Sequence, residues 1–109
     1  MQPVSHDATT ALLRALTRRF GAPGGAELAV DELRSRAWAS VTFTGARHEI
    51  GLRIEGESAW EAAGAFLDGL EAAEFALRGH LLADIEVVSQ AREPGRVRIA
   101  LEALTVEEG

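Results

Sequence analysis

The clearest pattern along the chain is an alternation of apolar and polar residues between positions 37 and 55. The apolar side of this alternation consists of Ala37, Ala39, Val41, Phe43, His48, Ile50, Leu52 and Ile54. Alternation of this kind is typical of strands that bury one face. It predicts a β-hairpin over 37–55 with a type II′ turn at Gly45-Ala46, because glycine readily adopts the positive φ that such a turn needs. The cross-strand pairs would then be Phe43 with His48, Trp38 with Arg53 and Thr42 with Glu49.

A second, weaker alternation predicts another hairpin near the C-terminus. Its arms run over 81–88 and 96–103, and the turn-rich residues 91–95 separate them. Pairing Val87 with Val97 would place Glu86 opposite Arg98, which is a favourable cross-strand pair.

Helical periodicity precedes each hairpin. Apolar residues recur at helical spacing from Ala8 to Phe20, with Ser5 or Asp7 as the N-terminal cap and Gly21 as the C-terminal glycine. Ser58 and Glu61 form an S-x-x-E capping box, which predicts a second helix that ends near Gly69. Its core-facing residues are predicted to be Ala59, Ala63, Phe66 and Leu70. Residues 26–36 fit neither period and are interpreted as an extended connector.

The order of these elements is helix, strand, strand, given twice. We predict one α+β domain over residues 1–109, made of a tandem αββ repeat with halves at about 8–55 and 56–106. The αββαββ order is that of a ferredoxin-like fold whose first strand has moved to the end of the chain. It implies a two-layer sandwich with two helices on one face of a four-stranded antiparallel sheet, in the strand order first, second, fourth, third.

Composition narrows the function. The 109 residues carry a net charge of -6, which argues against nucleic acid and anionic membranes as partners. No run of about 18 apolar residues and no signal peptide is present, so we expect a cytoplasmic protein. Lys, Cys and Tyr are absent, which removes a Schiff base and thiol or phenol nucleophiles and leaves Ser, Thr, His and carboxylates.

The histidines are the main candidates for chemistry. His48 and His80, together with Glu49 and Asp84, would be the side chains of a metal site or an acid–base pair. No ligand spacing such as H-E-x-x-H supports that, so we expect no metal and no cofactor, and we interpret His48 as a half-buried, hydrogen-bonded histidine. His6 lies in a polar N-terminal lead and is expected to face solvent.

The outer face of the predicted sheet is the most informative surface. It mixes charged residues with Trp38 and several aliphatic residues, and exposed apolar area usually marks a partner site. The predicted interface residues are Trp38, Thr42, Arg53, Leu82, Val88 and Leu104. We therefore favour a non-enzymatic module that forms a homodimer or docks on another protein through this face. The alternative is a small-molecule-binding module or enzyme with a pocket near His48, His80 and Trp60, and a nucleic-acid-binding domain is the least favoured class.

Overall fold

The computed structural model describes residues 4–108, with side chains from residue 8 onward. Its elements are α1 (Val4–Phe20), β1 (Glu27–Ala39), β2 (Thr44–Glu55), α2 (Ala59–Leu67), β3 (His80–Glu93) and β4 (Arg96–Glu107). A short 3₁₀ turn over Leu70–Ala72 follows α2. The four strands form one antiparallel sheet in the order β1-β2-β4-β3, which is the predicted order.

The two helices cover one face of this sheet. Along β2 and β4 the residues of one parity are buried, and those of the other parity are nearly all half-buried or exposed. Helix α1 contacts β1 and β2, whereas α2 contacts β2 and β4. The chain is therefore α+β with the layer arrangement of a two-layer sandwich, as predicted. The tandem repeat and the permuted ferredoxin-like relation stay predictions.

The core lies between the two layers. Leu12 and Leu16 of α1 meet Phe66 of α2, Leu70 and the inner face of the sheet in a single cluster of buried residues. The rings of Phe20 and Phe66 meet edge to face with their centroids 6.2 Å apart. All of the predicted core-facing residues of the second helix are buried, namely Ala59, Ala63, Phe66 and Leu70.

The first hairpin turns earlier in the chain than predicted. Ala39 pairs with Thr44, and the turn consists of residues 40–43 in place of Gly45-Ala46. Ser40 closes this turn, because its N–H donates to Phe43 O at 2.7 Å and its Oγ accepts from Phe43 N–H at 3.1 Å. All three predicted pairs are therefore wrong. The observed pairs are Ser35 with His48, Ala29 with Arg53, Arg34 with Glu49 and Trp38 with Gly45.

The predicted connector over 26–36 is mostly strand β1. A β-bulge falls between Val30 and Glu32, so one extra residue, Asp31, shifts the alternation by one position. Leu28 and Val30 lie on the helix side before the bulge, and Leu33 lies on that side after it. This shift is why no single period fits the stretch.

The second hairpin is longer than predicted and pairs in a different register. Val87 faces Leu101 and Glu86 faces Glu102, because the strands continue to Glu93 and Arg96 around a turn at residues 94–95. Strand β3 also carries two irregularities, between Leu82 and Asp84 and between Val87 and Ser89. The predicted pairs of Val87 with Val97 and of Glu86 with Arg98 are wrong for these reasons.

The helix ends agree with prediction only in part. Helix α1 begins at Val4, so Ser5 and Asp7 lie within it and do not precede it; their side chains, and that of His6, lie outside the described residues. Gly21, at φ +70°, follows α1 as predicted. Helix α2 begins after Ser58, but the Ser58 side chain makes no capping hydrogen bond. The backbone N–H of Ser58 donates to Gly25 O at 3.0 Å. Within residues 4–108 no helix has the length and apolar character needed to cross a membrane.

Candidate docking surface

The sheet face opposite the helices presents side chains in rows that run across the four strands. In the order β1, β2, β4, β3, the apolar row is Trp38, Gly45, Val106 and Leu81. The arginine row is Arg36, Arg47, Leu104 and Asp84, and the glutamate row is Arg34, Glu49, Glu102 and Glu86. The small row is Glu32, Gly51, Ala100 and Ser89. Antiparallel pairing places the members of a row beside one another, so each row acts as one strip of surface.

Trp38 dominates the apolar row. A β-carbon added to Gly45 would lie 3.0 Å from Trp38 Cζ2 and 2.0 Å from Thr105 O, so the missing side chain is what lets the indole lie against β2. At the other end of the row Leu81 is 54% exposed. Trp38 Nε1 is buried and has no hydrogen-bond acceptor among the described residues. The row is an apolar strip with both ends at sheet edges.

The arginine and glutamate rows place like charges on neighbouring strands. Arg36 lies beside Arg47, and Glu49, Glu102 and Glu86 follow one another across β2, β4 and β3. Arg34 lies opposite Glu49, but among the described residues its ion pair is with Glu32 of the small row at 4.0 Å, and both side chains of that pair are largely exposed. Like charges directly opposite each other destabilise a sheet. These two rows are thus electrostatically incomplete within a single copy of the chain.

At the far end of the outer face, positive and negative side chains pair with one another within a single copy of the chain. Glu55 accepts from Arg53 Nε at 2.9 Å and lies 2.8 Å from an Arg96 terminal nitrogen, and Arg53 also pairs with Asp31. Hydrogen bonding to Arg53 is the main reason that the pKa of Glu55 is lowered. Beside this cluster, Gly51, Ala100 and Ser89 line the floor of an open trough of about 540 Å³. Arg53 is therefore engaged in ion pairs and does not stack on Trp38.

The predicted interface residues fall into three places. Trp38, Arg53, Val88 and Leu104 are on the outer face, with Arg53 at its far end and Val88 52% exposed. Thr42 is exposed in the hairpin turn. Leu82 is packed against the core, because the irregularity at Ala83 shifts the alternation of β3 and brings Leu81 to the outer face in its place. The sequence pattern missed Leu81 for this reason.

The tip of the first hairpin is a second exposed apolar feature. Val41 is fully exposed and Phe43 is 57% exposed. Sequence alternation placed both on the buried face, and the turn at residues 40–43 explains why that placement is wrong.

His48 is the centre of a buried hydroxyl network. Its Nδ1 lies 2.8 Å from Ser35 Oγ and 3.4 Å from Thr9 Oγ1, and its Nε2 lies 2.9 Å from Thr105 Oγ1. Thr105 Oγ1 also donates to Ala46 O at 3.3 Å. His48 has no exposed surface. Its polar atoms are used in joining α1, β1, β2 and β4. The histidine is hydrogen-bonded, as expected from the sequence, but it is fully buried where half-burial was expected.

Of the three residues of the alternative pocket, His48 and His80 lie close enough for their charges to interact, whereas Trp60 lies far from both. His80 is buried and its Nδ1 donates to Arg78 O at 3.0 Å. Trp60 lies at the opposite end of the sheet, where its Nε1 donates to Glu93 O at 2.9 Å and its ring lies 5.5 Å from the Arg92 guanidinium. Arg92, which lies over the Trp60 ring, pairs with Val97 of β4, and Thr105, which contacts His48, is eight residues further along that strand. Trp60 and His48 are therefore separated by about 26 Å along the sheet.

The acidic partners suggested for the histidines also lie elsewhere. Glu49 and Asp84 are on the outer face, whereas His48 and His80 are on the helix side. Within the described part of the chain, no group of three or more His, Asp or Glu residues is placed to hold a metal ion.

Stability should fall in mild acid because of His48. Burial, helped by the charge of His80, lowers the pKa of His48 from its ordinary value of 6.5. The unfolded chain therefore binds a proton here at a higher pH than the folded chain does. The contribution of neutral His48 to the unfolding free energy is complete above about pH 6.5. It decreases as the pH falls below that value, by at most about 1.4 kcal/mol per pH unit for one proton.

Urea denaturation of the wild type and of His48→Gln at pH 7.5 and pH 5.5 tests this. The variant should be less stable at pH 7.5 and should lose less stability between the two pH values. Equal losses in the two proteins would show that His48 does not carry the pH dependence.

Comparison with known proteins gives a fold relative but no family. No family model and no curated protein sequence matches the chain. A chain from a solved structure described as "Virion of native gene transfer agent (GTA) particle" superposes with a TM-score of 0.69 at 18% sequence identity. The superposition covers 96% of this chain and 100% of the virion chain. At that identity the likeness shows a shared fold.

Proposed function

We propose that this chain is a non-enzymatic structural subunit that assembles with further copies of itself through its sheet. The observation that carries the proposal is the outer face, where an apolar row ending in Trp38 and Leu81 lies next to two rows that place like charges on neighbouring strands. Exposed apolar strips rimmed by polar residues usually mark protein contacts. The virion chain with the same fold is part of a particle, and its full length superposes on this chain.

The interface expected from the sequence is retained in revised form. Trp38 and Leu104 stay in it and Leu81 is added, because these three share one region of the outer face. Leu82 is removed, since it packs against the core, and Arg53 and Thr42 lie away from that region. The homodimer expected from the sequence is the smallest assembly that such an interface supports.

Replacing Trp38 with alanine should weaken association by about 2 kcal/mol, or about 30-fold in Kd, because tryptophan anchors usually dominate an interface. Light scattering and sedimentation over a concentration series give the mass and the Kd. Trp60→Ala is the matched control: Trp60 is 48% exposed and lies on the helix side at the other end of the sheet. A wild-type monomer throughout the series, or equal effects of the two substitutions, would contradict the proposal.

A further inference from the structure

We propose that copies of the chain join edge to edge, with β3 of one copy pairing antiparallel with β1 of the next in one continuous sheet. The inference rests on the proposed function and specifies its contact. It makes the partner a second copy of this chain in the same orientation, related by a sideways step across the sheet.

The strand order determines the relative direction of the two edge strands. Each neighbouring pair in β1-β2-β4-β3 is antiparallel, so the two edge strands, β1 and β3, run in opposite directions. A copy displaced sideways therefore brings its β1 antiparallel to β3 of the first copy. The edges also match in length, with 13 residues in β1 and 14 in β3.

The hydrogen-bonding phase agrees with this step. In an antiparallel sheet the backbone groups of a residue bond to one neighbour, and bonded and non-bonded pairs alternate along and across the strands. Val87 N–H points away from β4 and donates to the Glu71 carboxylate at 2.7 Å. The same phase turns the N–H of Ile85 outward. Ser35 lies in the same row as Ile85, at the other edge of the sheet. Following the alternation across the four strands, the backbone N–H and C=O of Ser35 also point outward.

The charged rows are completed by the same step. With no shift along the strands, Glu86 of one copy lies beside Arg34 of the next, so the glutamate row ends in an arginine at both sides. In the next row Asp84 lies beside Arg36, which within its own copy is adjacent to Arg47. Opposite charges directly across a strand pair stabilise it.

The apolar rows also become continuous. Leu81, which is 54% exposed, lies beside Trp38 of the next copy. Three consecutive outer-face rows thus find a complementary neighbour in one register.

The irregularities limit the contact to this half of the edges. The irregularity at Val88 and the bulge at Asp31 lie on the two sides of the small row and interrupt the ladder there, and the Glu71 carboxylate occupies the Val87 N–H near that point. The irregularity at Ala83 leaves one unpaired residue between the rows of Leu82 and Asp84. At the far end Glu27 would meet Glu93, which repel. Bulges and charges of this kind oppose pairing along an edge, so pairing is confined to residues 33–38 and 81–87.

A contact between two different edges is heterologous and does not close at two copies. Such contacts give a ring where the rotation between copies closes and a filament where it does not. The assembly therefore contains more than two copies, which is the difference from the homodimer expected from the sequence.

Charge reversal tests the pairing. Arg34→Glu with Arg36→Glu should weaken association about 10-fold or more, and so should Asp84→Arg with Glu86→Arg. The quadruple variant restores opposite charges across the contact and should return to within about 3-fold of the wild type. An equimolar mixture of the two double variants should also assemble, because an all-acidic edge pair meets an all-basic one. Light scattering measures the mass in every case.

Two charge-matched controls separate this contact from general repulsion. Arg14→Glu with Arg18→Glu makes the same charge change on the exposed face of α1, and Glu57→Arg with Glu61→Arg makes the opposite change at the exposed N-terminal end of α2. Both controls should assemble like the wild type, and circular dichroism checks that every variant is folded.

The outcomes distinguish the two proposals. A wild-type assembly that is unaffected by reversal at Asp84 and Glu86 would overturn the edge pairing while leaving the proposed function in place. A sensitivity confined to Arg34 and Arg36, without recovery in the quadruple variant, would indicate a two-fold contact between β1 strands and would also overturn it. A wild-type monomer at about 100 μM would overturn the proposed function itself.

Discussion

Replacing Gly56 with alanine should destabilise the fold by about 4 kcal/mol, which for a domain of this size lowers Tm by about 15–25 °C. Gly56 has a φ of +136°, which side chains with a β-carbon rarely adopt. An added β-carbon would also lie 2.1 Å from Gly25 O, a backbone atom that cannot turn aside. Thermal unfolding followed by circular dichroism measures the change.

The large effect arises because Gly56 lies where three connections meet. Its N–H donates to Gly95 O at 3.0 Å in the turn between β3 and β4, and its Cα approaches the loop that leads into β1. Gly64→Ala is the control with the opposite sign. Gly64 is exposed within α2 with nothing within 4 Å of the added carbon, so alanine there should stabilise by up to about 1 kcal/mol. Similar Tm values for the two variants would refute the proposed crowding at Gly56.

Replacing Leu101 with alanine should cost about 2–5 kcal/mol of unfolding free energy, because it leaves a cavity in the centre of the core. Leu101 is 1% exposed and pairs with Ile50 on one side and Val87 on the other. Urea denaturation below the concentration of assembly measures the cost in the isolated chain.

Leu104, three positions along the same strand, provides the comparison. It lies half-buried on the outer face in the arginine row. Leu104→Ala should therefore cost much less than Leu101→Ala in the isolated chain and should mainly weaken association. A loss of stability at Leu104 as large as that at Leu101 would mean that the outer face belongs to the core of the monomer.

The sequence predicted the layers of the fold better than the pairing of its strands. Helical spacing identified the buried side of α2, and the order of elements led to the observed strand order. Single extra residues account for two of the failures, because an insertion of one residue turns every later side chain to the other face. Asp31 concealed β1 in this way, and Ala83 exchanged Leu81 for Leu82 on the outer face.

Glycine caused the error in the first turn. Gly45 suggested a tight turn, but it is needed instead for the close approach of Trp38 and of Thr105 O. A sequence pattern cannot separate these two uses of glycine, since both depend on the absence of a β-carbon. Trp38 was nevertheless placed correctly on the outer face, because Ala37 and Ala39 on either side of it lie on the helix side wherever the turn falls.

The hydroxyl network around His48 also has a consequence for how the strands find their alignment during folding. Long antiparallel strands can slip by two residues and still keep their inward and outward faces. Such a slip of β1 along β2 would bring Leu33 or Ala37 in place of Ser35 to the imidazole and leave Nδ1 with only its longer contact to Thr9 Oγ1 at 3.4 Å. A hydrogen bond lost from a buried polar group costs up to about 1–3 kcal/mol. His48 therefore selects one alignment among those that the apolar pattern alone would permit, and it fixes which charges of β1 stand at the edge of the sheet.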